Sequence, residues 1–161
     1  MSMADHSNLE IERKFLLVGD EWKKCVKSPG KRLSQGYLCS DETRSIRVRI
    51  AGDVATLTVK GAREGISRSE FQYEIPVVDA ERLLALCMQP LIDKTRHIAH
   101  FGGMRWEVDI FHSENEGLRV AEVELEDPNQ VIELPEWVGE EVSEDPRYYN
   151  SCLVKAPFST W

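Results

Sequence analysis

The chain lacks most of the signatures that would assign it quickly. No apolar run approaches the roughly 18 residues of a membrane-crossing helix, and the opening MSMADHSN has neither the basic nor the apolar block of a secretory signal. Cytoplasm is therefore the expected address, with no membrane partner. Cys25, Cys39, Cys87 and Cys152 are scattered, without C-x-x-C or any short Cys/His spacing, which argues against structural zinc and a thioredoxin-type centre and for reduced thiols. His6, His97, His100 and His112 form no H-E-x-x-H pair, and no P-loop or glycine-rich phosphate cradle is present. A basic excess is missing too. With 20 Lys and Arg against 28 Asp and Glu, the net charge of −8 argues against nucleic acid as a partner, yet leaves room for a small anion held by clustered cations. No internal repeat, linker or low-complexity block appears, so a single domain over 1–161, with its core at about 9–153, is expected.

What the chain does have is strand-like alternation, in eight runs at 9–18, 31–40, 44–51, 54–60, 68–77, 91–101, 104–112 and 118–126. Ala51-Gly52-Asp53 and Phe101-Gly102-Gly103-Met104 read as tight hairpins, and residues 61–65 as a longer loop. DAERLLALCM at 79–88 reads as an amphipathic helix ended by Pro90, with shorter helices expected at 20–26 and 146–154. Pro135 and Gly139 read as irregular chain. Residues two apart in a strand share a side. Glu10, Glu12 and Lys14 thus line up against Ile11 and Phe15, and Arg47 and Arg49 against Ile46, Val48 and Ile50. Arg68, Glu70, Gln72 and Glu74 oppose Phe71, Tyr73 and Ile75; Arg105, Glu107 and Asp109 oppose Trp106, Val108 and Ile110; Glu122, Glu124 and Glu126 oppose Ala121, Val123 and Leu125. Lys94 pairs with Arg96 in the same way, and Thr56 and Thr58 with Lys60.

Three architectures produce such alternation. An ordinary sandwich with a wet outer face is the first. It does not account for polar faces of nearly pure charge in same-sign pairs, because like charges side by side repel. An outer-membrane barrel alternates similarly, but the missing signal, the four cysteines and the amphipathic helices oppose it. The third is a closed barrel with its charged faces inward and helices on part of its apolar outside. Its bore must be wet and full of compensating ions, since unpaired buried charge is very costly.

Carboxylate pairs such as Glu10/Glu12 and Glu122/Glu124 suit hard divalent cations that keep waters and substrate oxygens as further ligands. Cation pairs such as Arg47/Arg49 and Lys94/Arg96 suit a chain of phosphates. Together they describe metal-dependent phosphoryl transfer.

At this point the residues resemble the CYTH family, the triphosphate tunnel metalloenzymes. Glu10-Ile11-Glu12-Arg13-Lys14 fits its E-x-E-x-K signature. Gln35-Gly36-Tyr37-Leu38, Arg47-Val48-Arg49, Leu57-Thr58-Val59-Lys60-Gly61 and Ser67-Arg68-Ser69-Glu70 follow in family order. So do Lys94-Thr95-Arg96, Trp106-Glu107-Val108-Asp109, Glu122-Val123-Glu124 and Asp145-Pro146-Arg147-Tyr148-Tyr149-Asn150. The signature alone is weak; the ordered set is specific, and the compact length is similar to small bacterial members. The resemblance implies a mainly β (α+β) chain: a closed eight-stranded antiparallel β-barrel, or tunnel, with a charged lumen and a few flanking helices. It implies hydrolysis of a linear triphosphate with Mg²⁺ or Mn²⁺, tripolyphosphate leading, by a monomer or homodimer. Carried over by motif, Glu10, Glu12, Glu122 and Glu124 would hold metal, with Asp109 near it. Lys14, Arg47, Arg49, Lys60, Lys94 and Arg96 would bind phosphates, and Arg68, Glu70 and Glu107 would support them. Lys14 and Lys94 join the four glutamates as the expected catalytic set. Two alternatives stay open: an organic-triphosphate enzyme (thiamine triphosphatase, nucleoside triphosphatase or adenylate cyclase), and a non-catalytic polyphosphate-binding module. The role of Arg147, Tyr148 and Asn150, as a plug of one tunnel mouth or a cap of the last helix, is also left open.

Overall fold

A computed structural model describes residues 8–161; the polar opening segment 1–7, with His6, lies outside the described residues. The strands are β1 (Leu9–Leu17), β2 (Lys31–Ser40), β3 (Arg44–Ala51), β4 (Val54–Gly61), β5 (Ser67–Ile75), β6 (Ile92–Phe101), β7 (Met104–Phe111), β8 (Arg119–Glu124) and β9 (Val138–Glu141). They pair in the order β5-β4-β3-β2-β6-β7-β8-β1-β9, and a further β1–β5 pairing closes the ring. Every pairing is antiparallel. The fold is thus a closed eight-stranded barrel with one extra strand.

That extra strand is the element that the alternation rule misses. Gly139, read as irregular chain, lies inside β9. Beyond Ile11 the paired register of β1 and β5 ends, and β9 takes the free edge of β1 with a register shift between Phe15 and Leu17. Arg13, on the outer face with Ile11 and Phe15, fixes this attachment by pairing with Glu141 at 2.6 Å. Four residues give β9 too short a pattern to read.

The outward faces bury two apolar clusters. On one side Ile11, Phe15, Trp106, Val108, Ala121 and Val123 pack with Trp22 and Trp137, from segments outside the barrel wall. On the other, α1 (Val77–Leu86) lays Ala80 and Leu84 on Val48 and Ala55. The helix starts two residues ahead of its acidic signal, with Pro76 at its N-cap, and stops at Leu86 because Cys87 is extended. Residues 20–26 give a 3-10 turn, Glu21–Cys25, and residues 146–154 divide into a 3-10 turn, Pro146–Tyr148, and α2 (Asn150–Lys155).

The inner face is charged along most of the wall but not at one end. There Tyr37, Ile92, Phe111 and Val120, each in step with the inward residues of its own strand, pack against Leu153 and Val154 of α2. This apolar layer floors the bore. At the opposite end of β6 and β7 lies the Gly102-Gly103 hairpin, whose glycines take φ of 59° and 74° as such a turn needs. No helix among the described residues is long and apolar enough to cross a membrane.

Gly36 shows how closely the segment that follows α1 is seated on β2. A Cβ there would stand 2.7 Å from both Cys87 Cβ and Leu91 Cδ2. Gly36→Ala is therefore expected to cost about 1–3 kcal/mol by overpacking, read as a lower urea midpoint with an unchanged slope. A variant as stable as the parent would show that the segment carrying Cys87 and Leu91 yields without cost.

Candidate active site

The bore encloses about 630 Å³. Nine basic and seven acidic side chains line it, a positive excess inside a protein whose net charge is −8. Every nominated site residue except Asp109 reaches this lining: Glu10, Glu12 and Lys14 from β1, Arg47 and Arg49 from β3, Lys60 from β4, Arg68 and Glu70 from β5, Lys94 and Arg96 from β6, Glu122 and Glu124 from β8. The barrel order sets their opposition. Around a ring of eight, β8 and β3 are four steps apart in either direction, so Glu122 and Glu124 look across the bore at Arg47 and Arg49.

Much of this charge is already matched. Lys60 Nζ stands 2.6 Å from Glu10 and 2.9 Å from Glu70, and Arg68 Nε 3.0 Å from Glu10. Burial pushes the Glu10 carboxyl up, but Lys60 and Arg68 outweigh it and hold the group down at about 2. Lys14 meets Glu122 at 3.1 Å, and Arg96 reaches the same carboxylate at 3.5 Å and pairs with Glu107. Burial raises Glu122 while Lys14, Arg96 and Lys94 hold it well below the usual carboxylate range. Asp109, on the inward face of β7, is wholly buried beneath the lining, with Lys94 at 2.6 Å and Arg96 at 2.7 Å. Its two oxygens accept hydrogen bonds from both cations. Even so, burial, reinforced by Arg96 and Arg49, brings Lys94 down to about 7.

Two sets stay unmatched among the described residues. Arg49 donates from Nε to the neutral Gln35 Oε1 at 2.9 Å, and Arg47 donates to the Thr58 hydroxyl at 3.1 Å while its own Nε, buried, has no partner. Neither guanidinium has a carboxylate, and burial, with Arg47 and Arg96 adding to it, lowers Arg49 to about 9. On the opposite wall Glu12 and Glu124 face each other as paired positions of β1 and β8, with no cation on either. Burial, then Glu122 and Glu10, raise Glu12 to about 7; burial and Glu10 also raise Glu124. An anion completes the first set and a cation the second.

The donor chemistry fits a hard divalent cation. No three His, Cys, Asp or Glu groups among the described residues are gathered tightly enough to hold a metal unaided. The carboxylates instead form a wall of oxygens open to the bore, as expected for an ion that keeps water and phosphate oxygens as ligands.

Sequence reasoning missed Arg63, which lines the bore from the β4–β5 loop, and Tyr149, beneath it at 4.5 Å. Both lie on non-strand segments where period-2 alternation carries no signal. Tyr37 does line the bore; Arg147 does not, and pairs with Asp145 on the surface. His97 packs against Trp22 outside the barrel.

With this geometry in hand, a model of the CYTH domain matches residues 8–150. The inorganic triphosphatase of Acetivibrio thermocellus is 50% identical over 153 residues, spanning 94% of this chain and 97% of that protein. The inorganic triphosphatase of Nitrosomonas europaea is 35% identical over 148 residues, 89% and 95% of the two. A crystal structure of an inorganic triphosphatase superposes with a TM-score of 0.63 at 32% identity, covering 90% of this chain and 93% of that one.

A raised carboxyl stabilises the fold below its unfolded value, near 4.5, and loses that contribution as pH rises through its folded value. The metal-free protein is expected to lose stability between pH 4.5 and about 7 through Glu12. Glu12→Gln should remove that loss and raise the melting temperature at pH 8, measured in chelator by calorimetry. Equal melting temperatures at pH 8 would show that Glu12 carries no such strain.

Proposed function

The chain belongs to the CYTH family, and on that footing we propose that it is a divalent-metal-dependent triphosphatase that cleaves inorganic tripolyphosphate with water into pyrophosphate and phosphate. One observation supports this reading above the rest. The bore has two unmatched charge sets on facing walls, Arg47/Arg49 and Glu12/Glu124, and a metal complex of a short phosphate chain neutralises both at once.

Arg47 and Arg49 would bind non-bridging oxygens, with their forked donors already held at one edge by Thr58 and Gln35. Lys94 and Arg96, aimed by Asp109, would offset charge on the departing pyrophosphate. Lys60 and Arg68, anchored by Glu10, would hold the phosphates near the acidic wall. Glu12, Glu122 and Glu124 would hold the cation. A bound Mg²⁺ or Mn²⁺ supplies a Lewis acid that neutralises phosphate oxygens and acidifies water. Glu10 and Asp109 would orient cations, because each holds two within 3.0 Å, closer than the 3.1 and 3.5 Å at which Lys14 and Arg96 stand from Glu122.

Among organic triphosphates, the lining disfavours a nucleotide. Its aromatic side chains are Tyr37 and Tyr149, and Arg63 already covers the ring of Tyr149. A nucleobase therefore finds no open pair of faces between which to stack.

The deciding experiment is a panel of tripolyphosphate, ATP and thiamine triphosphate with Mg²⁺ or Mn²⁺, with cyclic AMP assayed alongside. Tripolyphosphate should be turned over most efficiently, with no cyclic AMP. Preference for ATP or thiamine triphosphate, or tight tripolyphosphate binding without phosphate release, would overturn the reading.

Two substitutions test the walls separately. Glu122→Gln should abolish turnover with the circular-dichroism spectrum retained; near-normal hydrolysis at saturating metal would remove it from the site. Arg49→Ala should raise KM at least about tenfold, since a hydrogen bond to a charged group contributes about 1.5–3 kcal/mol. An unchanged KM would place Arg49 outside the phosphate site.

A further inference from the structure

Three consecutive residues on the floor of the bore each engage a different lumen cation. The Tyr148 carbonyl accepts from Lys14 Nζ at 3.1 Å, and Asn150 Oδ1 accepts from Lys94 Nζ at 3.1 Å. Between them, the ring of Tyr149 lies under the Arg63 guanidinium at 4.5 Å. The three cations come from β1, β6 and the β4–β5 loop, so this single turn gathers groups that are remote from one another along the chain.

The contacts share one chemical property: all are uncharged. A carbonyl, an amide oxygen and a π face each orient a cation without cancelling its charge. A carboxylate in the same place would hold the cation more strongly and neutralise it. The turn's own geometry is independently fixed. Asp145 caps the preceding 3-10 turn by accepting from Arg147 N–H, and the Tyr149 hydroxyl donates to the Ser143 carbonyl at 3.1 Å. Ser143 Oγ in turn accepts from the Lys14 N–H at 2.9 Å. The floor and Lys14 are thereby tied together at both backbone and side chain.

We propose that residues 148–150 form a positioning turn that holds Lys14, Lys94 and Arg63 toward the bore through neutral contacts, adding no negative charge beyond the Glu122 and Asp109 carboxylates that Lys14 and Lys94 already meet, and that Arg63 is itself a phosphate-binding residue. This rests on the triphosphatase reading and deepens it. Arg63 lines the bore and has no carboxylate partner among the described residues, so its charge is available to an anion.

The test compares Asn150→Asp with Asn150→Ala. If Asn150 serves only as a structural acceptor, Asp outranks Ala, because it keeps the bond to Lys94. If the turn works by adding no charge, Asp is the worse variant, because it sets a second carboxylate on Lys94 and a like charge near Asp109. The expected result is a KM for tripolyphosphate raised about tenfold or more in Asn150→Asp, the scale of one lost charged hydrogen bond, and raised less in Asn150→Ala. Tripolyphosphate binding, measured by calorimetry in chelator, should follow the same order. Asp equal to or better than Ala overturns the proposal.

A double-mutant cycle between Tyr149→Leu and Arg63→Gln supplies an independent check should Asn150→Asp fail to fold. Each change should raise KM, and the pair should raise it no further than Arg63→Gln alone, because Tyr149 acts through Arg63. Additive effects, or none, overturn the proposal. Parent protein that binds tripolyphosphate without hydrolysing it would instead refute the triphosphatase reading and leave this one standing.

Discussion

The organising constraint is the repulsion that the barrel stores on its inner wall. Closing eight strands forces side chains of alternating residues into a confined bore, and this sequence places charges of one sign next to each other there. Glu12 and Glu124 occupy paired positions on β1 and β8, while Arg47 and Arg49 stand two apart on β3. At short range inside a partly desolvated cavity such pairs repel far more than at an open surface. The neighbours relieve only part of this: Lys14 and Arg96 compensate Glu122, and Lys60 and Arg68 compensate Glu10. What is left unrelieved is divided by sign across the bore. The guest that relieves it is therefore itself divided, an anion bound to a cation.

The rest of the molecule supports that arrangement by keeping its apolar material elsewhere. Trp22, Trp106 and Trp137 pack on the outer wall, and α1 covers β2 to β4 there. Burial outside the barrel offsets the cost of charge inside it. β9 belongs to the same scheme. It covers the edge of β1 where pairing with β5 ends, close to Lys14, and Val142 and Ser143 bond the Lys14 backbone at both O and N. A lysine at a frayed strand edge would place its ammonium loosely. Here the strand is gripped from both sides.

How much of this was legible in the sequence follows from what a period of two can encode. Strand limits at β2 and β3 agree with the alternation residue for residue, and the inward charge was visible because same-sign pairs recur at i, i+2. The ring order was not derivable from alternation, since any strand pairs plausibly with several others; the family resemblance implied a closed barrel without giving the order of its strands. Only the observed pairing order shows that β8 faces β3. The fate of Asp109 was also hidden. Its spacing matches Glu107, yet the wall encloses it fully and Lys94 and Arg96 engage it. Nor does alternation show that the inward face becomes apolar at Tyr37, Ile92, Phe111 and Val120, because these positions obey the same parity as the charged ones. Only the arrival of α2 explains why apolar residues are favoured there.

The floor also explains how one bore can hold both matched and unmatched cations. Asp109 neutralises as it orients, so the two cations it aims, Lys94 and Arg96, retain less of their field for a ligand. Asn150, Tyr148 and Tyr149 orient without neutralising. Lys94 touches both kinds of partner, with its ammonium 2.6 Å from Asp109 and 3.1 Å from Asn150. Direction, more than strength, is what the protein adds to a lysine that burial alone would tend to discharge.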